Sequence, residues 1–312
     1  MRSWKLVALF FVGICCGATV QARADGESEL TTCSRLGDRK EDKAAIDHCT
    51  RAIESGELSN KALAIAYTDR SMVYRRLRQF DDAVADCSKA IELKDDYVDA
   101  QIACGSAYGS TGDFKSSIRY FDRALALEPD NARAHNNRGD ALLQSGDYAS
   151  ALQEFESAIG IKPGYELAMV NRGAALYSLG RFKEAAAAAA DALKTAPDNA
   201  YALLLLTLAR RRAGIDMPPA EVMAAAGKID RESWPWPIVA YFGGKSIALS
   251  EAVQFAKDNP ADADCEASFY YGDMAIILGK AEEGRGLLQH SFNACPKTFA
   301  ERAIAQAELT RR

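Results

Sequence analysis

Histidine is nearly missing from this chain: His48, His135 and His290 are the only three in 312 residues. Histidine is the side chain that most readily moves protons or binds metal near neutral pH, so its scarcity removes the simplest general-base and zinc constellations. No HExxH, GxSxG, GxGxxG or P-loop run occurs, which leaves metalloprotease, hydrolase and nucleotide-phosphate chemistry without a motif. The absence of any CxxC pair removes the usual support for a zinc ribbon or a thioredoxin-like redox centre. His135 reads as a surface or groove side chain rather than a base. His48 and Cys49 are neighbours, and neighbours on a helix point to different sides, so they do not read as a nucleophile pair. An enzyme is not expected, nor is a cofactor or a metal.

A dominant charge is lacking too. Lys plus Arg number 38 against 43 Asp plus Glu, a net −5 that shows no electrostatic footprint for nucleic acid or an anionic membrane. Past the first two dozen residues no apolar run approaches the roughly 20 residues of a membrane span. Hydrophobic content of 48% is ample for a packed core, and the length fits either one large domain or two.

Residues 1–24 are a different kind of text. Arg2 and Lys5 lead into the apolar run Leu6–Cys16, and Ala22-Arg23-Ala24 precedes Asp25. That order describes a secretory signal peptide, with a mature chain expected to begin at Asp25. Lipid attachment at Cys15 or Cys16 is not expected, because Ile14 and Cys15 precede them where a small residue is wanted. Six cysteines then remain, and an even number in an exported chain points to disulfides.

What is abundant is repetition. Ala90, Ala124, Ala158 and Ala192 recur every 34 residues, as do Phe80, Phe114, Tyr148 and Phe182. Gly112, Gly146, Gly180 and Gly214 keep the same step, with Ser71, Gly105, Gly139 and Gly173, and with Pro129, Pro163 and Pro197. The pattern resembles the tetratricopeptide repeat family, whose unit is a 34-residue helix–turn–helix. The small residue lets the first helix of a pair approach the second. The later glycine ends the first helix in the left-handed conformation, the aromatic opens the second helix, and proline stops it. In Pro129-Asp130-Asn131 and Pro197-Asp198-Asn199 an Asp or Asn is available to cap the next helix.

The fold expected is all-α, a right-handed solenoid of such pairs, five to seven counting degenerate ones. Residues 25–58 read as a degenerate capping pair, 59–228 as the repeat array and 229–262 as an irregular helical connector. Residues 263–312 read as a repeat-like pair and a terminal helix sealing the stack.

On that frame the cysteines fall on adjacent antiparallel helices as Cys33–Cys49, Cys87–Cys104 and Cys265–Cys295. Buried free thiols remain the alternative, above all for Cys87 and Cys104. In the family the first helix of each pair lines a concave surface that holds a partner segment. Its offsets, carried onto this chain, mark Asp69, Met72, Arg75 and Arg76, then Ile102 and Ser106. Next come Arg133, Asn136, Asn137 and Asp140, then Leu167, Val170, Asn171 and Tyr177. Tyr201, Leu204, Leu205, Leu208 and Arg211 complete the set and form an apolar end. Asn137 and Asn171 lie one repeat apart and can each donate to and accept from a peptide backbone. The Lys/Asn/Arg carboxylate clamp of some family members is not expected, since no lysine sits at the matching offsets. Arg138 and Arg172 read as interface residues pairing with acids of second helices such as Asp86 or Glu154.

Together these readings imply a non-catalytic exported scaffold that binds a protein or peptide, similar in layout to bacterial periplasmic adaptors of this family. No nucleic-acid partner and no stable membrane span are expected. Two alternatives stay open: a glycan-binding module using Trp234, Trp236 and Tyr241 as stacking platforms, and an enzyme with a site in 229–262.

Overall fold

In the computed structural model residues 15–257 and 259–311 are described, with side chains from Gly26 onward. The expected signal peptide lies outside the described residues over 1–14, and its side chains lie outside them over 15–24. Among the described residues every regular element is helical, and no helix is long and apolar enough to cross a membrane. The chain divides into two compact units, Met1–Ala107 and Tyr108–Arg312.

The first unit contains α1 (Cys15–Asp38), α2 (Asp42–Glu54), α3 (Asn60–Arg76), α4 (Phe80–Leu93) and most of α5 (Val98–Thr111). α1 packs on α2 and on α3, and α3 packs on α4. The second unit continues with α6 (Phe114–Leu127), α7 (Ala132–Ser145), α8 (Tyr148–Ile161), α9 (Glu166–Ser178) and α10 (Phe182–Thr195). α11 (Ala200–Arg212) is followed by the short α12 (Pro219–Ala225), α13 (Trp236–Phe242) and α14 (Leu249–Phe255). α15 (Pro260–Ile277), α16 (Ala281–Ala294) and α17 (Ala300–Thr310) close the chain. The segment read as a connector is therefore a shortened helix pair, α13 and α14, packed on α11 and α15 respectively.

The repeated positions have the physical roles their chemistry suggests. Ala90, Ala124, Ala158 and Ala192 are fully buried, while Phe80, Phe114, Tyr148 and Phe182 each open a second helix and are half-buried. A Cβ on Gly139 would lie 2.7 Å from the Phe155 ring and 3.1 Å from Glu154, so only glycine lets α7 sit this close to α8. Gly146 and Gly180 end their helices at φ +90° and +75°. Arg78 occupies the same repeat position and holds φ +63°, a conformation costly for a residue with a Cβ. The caps come from Asn131 and Asn199, whose side chains accept from Ala134 N at 3.0 Å and Ala202 N at 2.8 Å.

One step outward from the small residue lies an ionic rung. Arg70 grips Asp86 through two bonds of 2.6 and 2.8 Å, and Arg138 reaches Glu154 at 2.5 Å and Asp122 at 2.7 Å. Cys104 stands at the arginine's repeat position in the intervening copy, with Cys87 beside it at a Cα separation of 5.2 Å. The other two cysteine pairs, Cys33–Cys49 and Cys265–Cys295, have Cα separations of 5.0 and 4.9 Å. All three fall in the span a disulfide bridges. At the fourth position Arg172 faces Ala188 instead of an acid and comes only within 3.9 Å of Asp191.

Candidate partner-binding site

In the second unit the first helices α7, α9 and α11 present one face to the C-terminal elements. α17 packs on α16 and α15 and also reaches α7 and α9. It therefore packs on the last pair and lies across the first helices α7 and α9. Its apolar side, Ala303, Ile304 and Ala307, is buried, and Tyr148 Oη donates to Ala303 O at 3.1 Å. An ionic network anchors its C-terminal end. Arg212 of α11 donates to Asp273 of α15 and, at 2.7 Å, to Glu308 of α17. Tyr177 also donates to Asp273, and Arg311 bonds Glu308 and the carbonyls of Tyr177 and Ser178.

At the other end of α17 the same helices leave a cavity of about 690 Å³. Tyr165, Leu167, Val170 and Asn171 line it from the α9 side, Tyr201, Leu205 and Leu208 from α11. Glu266, Phe269 and Tyr270 of α15 and Glu301 and Ile304 of α17 complete the wall. Two of its three carboxyls are almost sealed from solvent, Glu266 at 7% and Glu301 at 8% exposure, while Glu166 is exposed. Trp234 Nε1 and Tyr201 Oη donate to Glu266 Oε2 at 2.7 and 3.0 Å, and Tyr270 Oη donates to Glu301 Oε1 at 3.1 Å. Burial, helped by the charge of Glu301, pushes the Glu266 carboxyl up to about 8. Burial also raises Glu301 and Tyr270.

The residues marked from the sequence divide between the units. In the first, Asp69 is largely buried, accepts a 2.5 Å bond from Ser34, and is raised by that burial. Met72 is half-buried, and Arg75 and Arg76 are exposed. Arg76 is bonded to Asp42 and to Gly37 O. Ile102 is buried at 4% exposure and Ser106 is half-buried.

In the second unit Arg133 is exposed and Asp140 half-buried. The asparagines form a chain: Asn171 Nδ2 donates to Asn136 Oδ1 at 3.3 Å, and Asn136 Nδ2 to Asn137 Oδ1 at 3.1 Å. Asn136, at 2% exposure, is the buried link rather than a surface contact.

The apolar end requires correction. Leu204 and Leu208 are fully buried, Tyr177 likewise, and Arg211 is turned to Met217 O at 3.2 Å and to the Phe242 ring. The helical packing continues past α11 through α13 and α15, so these side chains belong to the core. Leu208 and Tyr177 reach the site only as part of the cavity wall, and Leu204 does not reach it.

Trp236 is buried, Trp234 is tied to Glu266, and Tyr241 stacks on Tyr271 with centroids 4.2 Å apart. Trp236 is thus core packing, while Trp234 and Tyr241 are half-buried. His135 bonds Glu154 at 2.8 Å and Pro129 O at 3.0 Å, a structural placement.

Sequence reasoning missed Glu266, Phe269, Tyr270 and Glu301. For the first three the signal was present. Glu266 precedes Gly272 by the same six residues that separate Arg133 from Gly139 and Leu167 from Gly173. Phe269 and Tyr270 stand where Asn136 and Asn137 do. Glu301 lies on α17, beyond the last repeat, and no offset points to it.

Three family models, each described as a tetratricopeptide repeat, match residues 64–97, 102–166 and 142–209. The chain is 31% identical over 80 residues to DnaJ homolog subfamily C member 7 of Mus musculus, covering 26% of this chain and 16% of that protein. It thus spans about a sixth of the curated relative's length. Among solved structures, a tetratricopeptide repeat protein from Parabacteroides merdae ATCC 43184 is 11% identical with a TM-score of 0.56. That likeness covers 92% of this chain and 100% of the other. A thermophilic protein of the same repeat class from Thermus thermophilus is 17% identical with a TM-score of 0.51, over 59% of this chain and 98% of its own. At these identities the two structures establish the fold alone. The three matching repeat models, with the register of buried alanines, half-buried aromatics and left-handed glycines, lead to one conclusion: the stretch from 64 to 209 is built of tetratricopeptide repeats.

Proposed function

We propose that this chain is a non-catalytic scaffold that holds a segment of a protein partner on the inner face of its second unit. The observation that carries this reading is the cavity of about 690 Å³ between α9, α11, α15 and α17. A concave, mostly apolar site with a few convergent polar groups is the usual form of a binding pocket. Asn171 belongs both to the cavity wall and to the amide chain through Asn136 to Asn137. A partner segment would anchor a side chain in the cavity and pair its main chain with Asn137.

The reading includes export. Support comes from the text of residues 1–24 and from six remaining cysteines that fall into three pairs at disulfide separation. We place the protein in a bacterial periplasm, as an envelope adaptor with three disulfides. Thiol labelling of the unfolded, unreduced protein tests the pairs: labelling of all six cysteines would remove that support.

The binding claim is tested by crosslinking from the inner face in the native envelope, followed by identification of the captured protein. The glycan reading keeps only the half-buried rings of Trp234 and Tyr241, since Trp236 is buried.

A further inference from the structure

We propose that the cavity between α9, α11, α15 and α17 is a lysine-side-chain pocket, in which Glu266 and Glu301 receive the ammonium of a partner peptide. The proposal rests on the reading of this face as a peptide-binding surface and specifies what the peptide presents. Three features of the wall carry it.

The first is charge. Two buried carboxyls and the exposed Glu166 line one cavity, and the basic side chain on its wall, Lys162, lies exposed over the Tyr165 ring. On its other side Glu266 borders a second cavity of about 850 Å³ that carries Arg231 and Lys257 with Glu232 and Asp262. Arg231 lies over the Trp236 ring, and no ion pair joins it or Lys257 to Glu266 among the described residues. A buried acid pair without a cation is unfavourable. An entering cation relieves it.

Geometry at the oxygens is the second feature. Trp234 and Tyr201 both use Oε2 of Glu266, and Tyr270 uses Oε1 of Glu301. Glu266 therefore keeps Oε1 clear of both donors, and the Glu301 carboxyl takes only Tyr270 among side chains, with its own backbone N–H. A planar guanidinium fork prefers both oxygens of one carboxylate, whereas a compact ammonium takes single oxygens from separate acids. Lysine fits this arrangement and arginine does not.

Third, the remaining wall is apolar and aromatic. Leu205, Phe269 and Ile304 can bury the four-carbon stem, and the rings of Tyr201 and Tyr270 stand beside the charge, where cation–π attraction adds to it.

Proton linkage supplies a distinctive readout. The groups facing Glu266 are Tyr201 from α11, Glu301 from α17, and Asp262 and Tyr270 from its own helix, with Glu166 and Lys162 further along the wall. Glu266 holds its proton until about pH 8, so below that pH an incoming ammonium must displace it. Affinity for a lysine side chain should rise toward tenfold per pH unit below pH 8 and level off above it.

The test uses the full mature chain and three probes: acetyl-Leu-Lys-Leu-amide, the same peptide with norleucine for lysine, and cadaverine. Binding is measured by titration calorimetry from pH 6 to 9. The lysine peptide is expected to bind at least tenfold tighter than the norleucine peptide at pH 8.5, with affinity rising from pH 6. Glu266→Gln, which keeps the acceptor for Trp234 and Tyr201, should abolish both the preference and the rise. Glu301→Gln should reduce the preference without unfolding, with circular dichroism as the control. Equal binding of lysine and norleucine peptides, or no binding of either, would overturn the lysine assignment. So would tighter binding by cadaverine, which would make the ligand a free amine. A partner still crosslinked at the inner face in any of those cases would leave the scaffold reading standing, so the two claims fail separately.

Discussion

Trp234 donates its indole N–H to Glu266 Oε2 at 2.7 Å. The bond joins the WPWP stretch, which breaks the repeat, to a buried acid of the cavity wall that is raised to about 8. A segment that reads as an interruption is thus a brace that holds Glu266 in place. It also gives the acid a stability signature.

Folding raises the Glu266 carboxyl from its ordinary value of 4.5 to about 8, so the folded chain binds more protons than the unfolded chain between those limits. Stability should fall as pH rises through that window, by at most about 1.4 kcal/mol per unit from this group. The Glu266→Gln variant should lose the Glu266 share of that slope and melt above wild type at pH 8. Melting temperature from pH 5 to 8.5 checks both. A flat wild-type profile would mean that Glu266 stays solvated.

Rungs of the repeat differ in what they contribute. Arg70 and Arg138 are paired with partly buried acids, so replacing either by Ala strands a carboxylate and should cost about 2–4 kcal/mol. Arg172→Ala should cost less than about 1 kcal/mol, because its acid lies 3.9 Å away and half exposed. Denaturant titration of the three variants ranks them. Equal effects would contradict the assignment of the rung to Arg70 and Arg138.

Left-handed positions without glycine offer a gain. Lys40 and Arg78 hold φ +60° and +63° in turns between helices. Glycine at Lys40 should stabilise the chain by about 0.5–1 kcal/mol. A lowered denaturation midpoint for Lys40→Gly would show that its side chain contributes more than the strain removes.

The buried leucines give the opposite expectation to a surface patch. Leu204→Asp and Leu208→Asp place a charge where the parent side chain has no exposure, which should destabilise by several kcal/mol and disrupt α11 packing. Urea unfolding checks this. A variant as stable as wild type would restore these residues to an open surface.

Much of the fold was legible because the repeat writes its packing into residue size. Alanine is required at Ala158, glycine at Gly139 and Gly146, and an aromatic at Tyr148, each for a contact or a φ on one unit. The asparagine row was half legible: the offsets located Asn136, Asn137 and Asn171 but not that they bond one another. As a result both Asn171→Ala and Asn137→Ala should carry some stability cost through the buried Asn136, so circular dichroism must accompany either as a probe of binding. What could not be read was the return of α17 onto α7 and α9. That docking depends on Arg212, Asp273 and Glu308 meeting from three helices, and no local pattern records such a meeting. The apolar stretch Leu203–Leu206 had the same ambiguity, since a groove and a buried interface are both apolar.

The central claim is that the inner face of the second unit holds a partner segment. The most direct measurement places a photo-crosslinking residue at Asn137, at Leu167 beside the cavity, and at the exposed Glu156 on α8 as a control. Alongside these, Asn137→Ala with Asn171→Ala should weaken binding of the captured protein about tenfold to a hundredfold, at roughly 0.5–1.5 kcal/mol per lost hydrogen bond. The account predicts one protein captured from both Asn137 and Leu167 and not from Glu156. Capture of the same protein from Glu156 alone would contradict it.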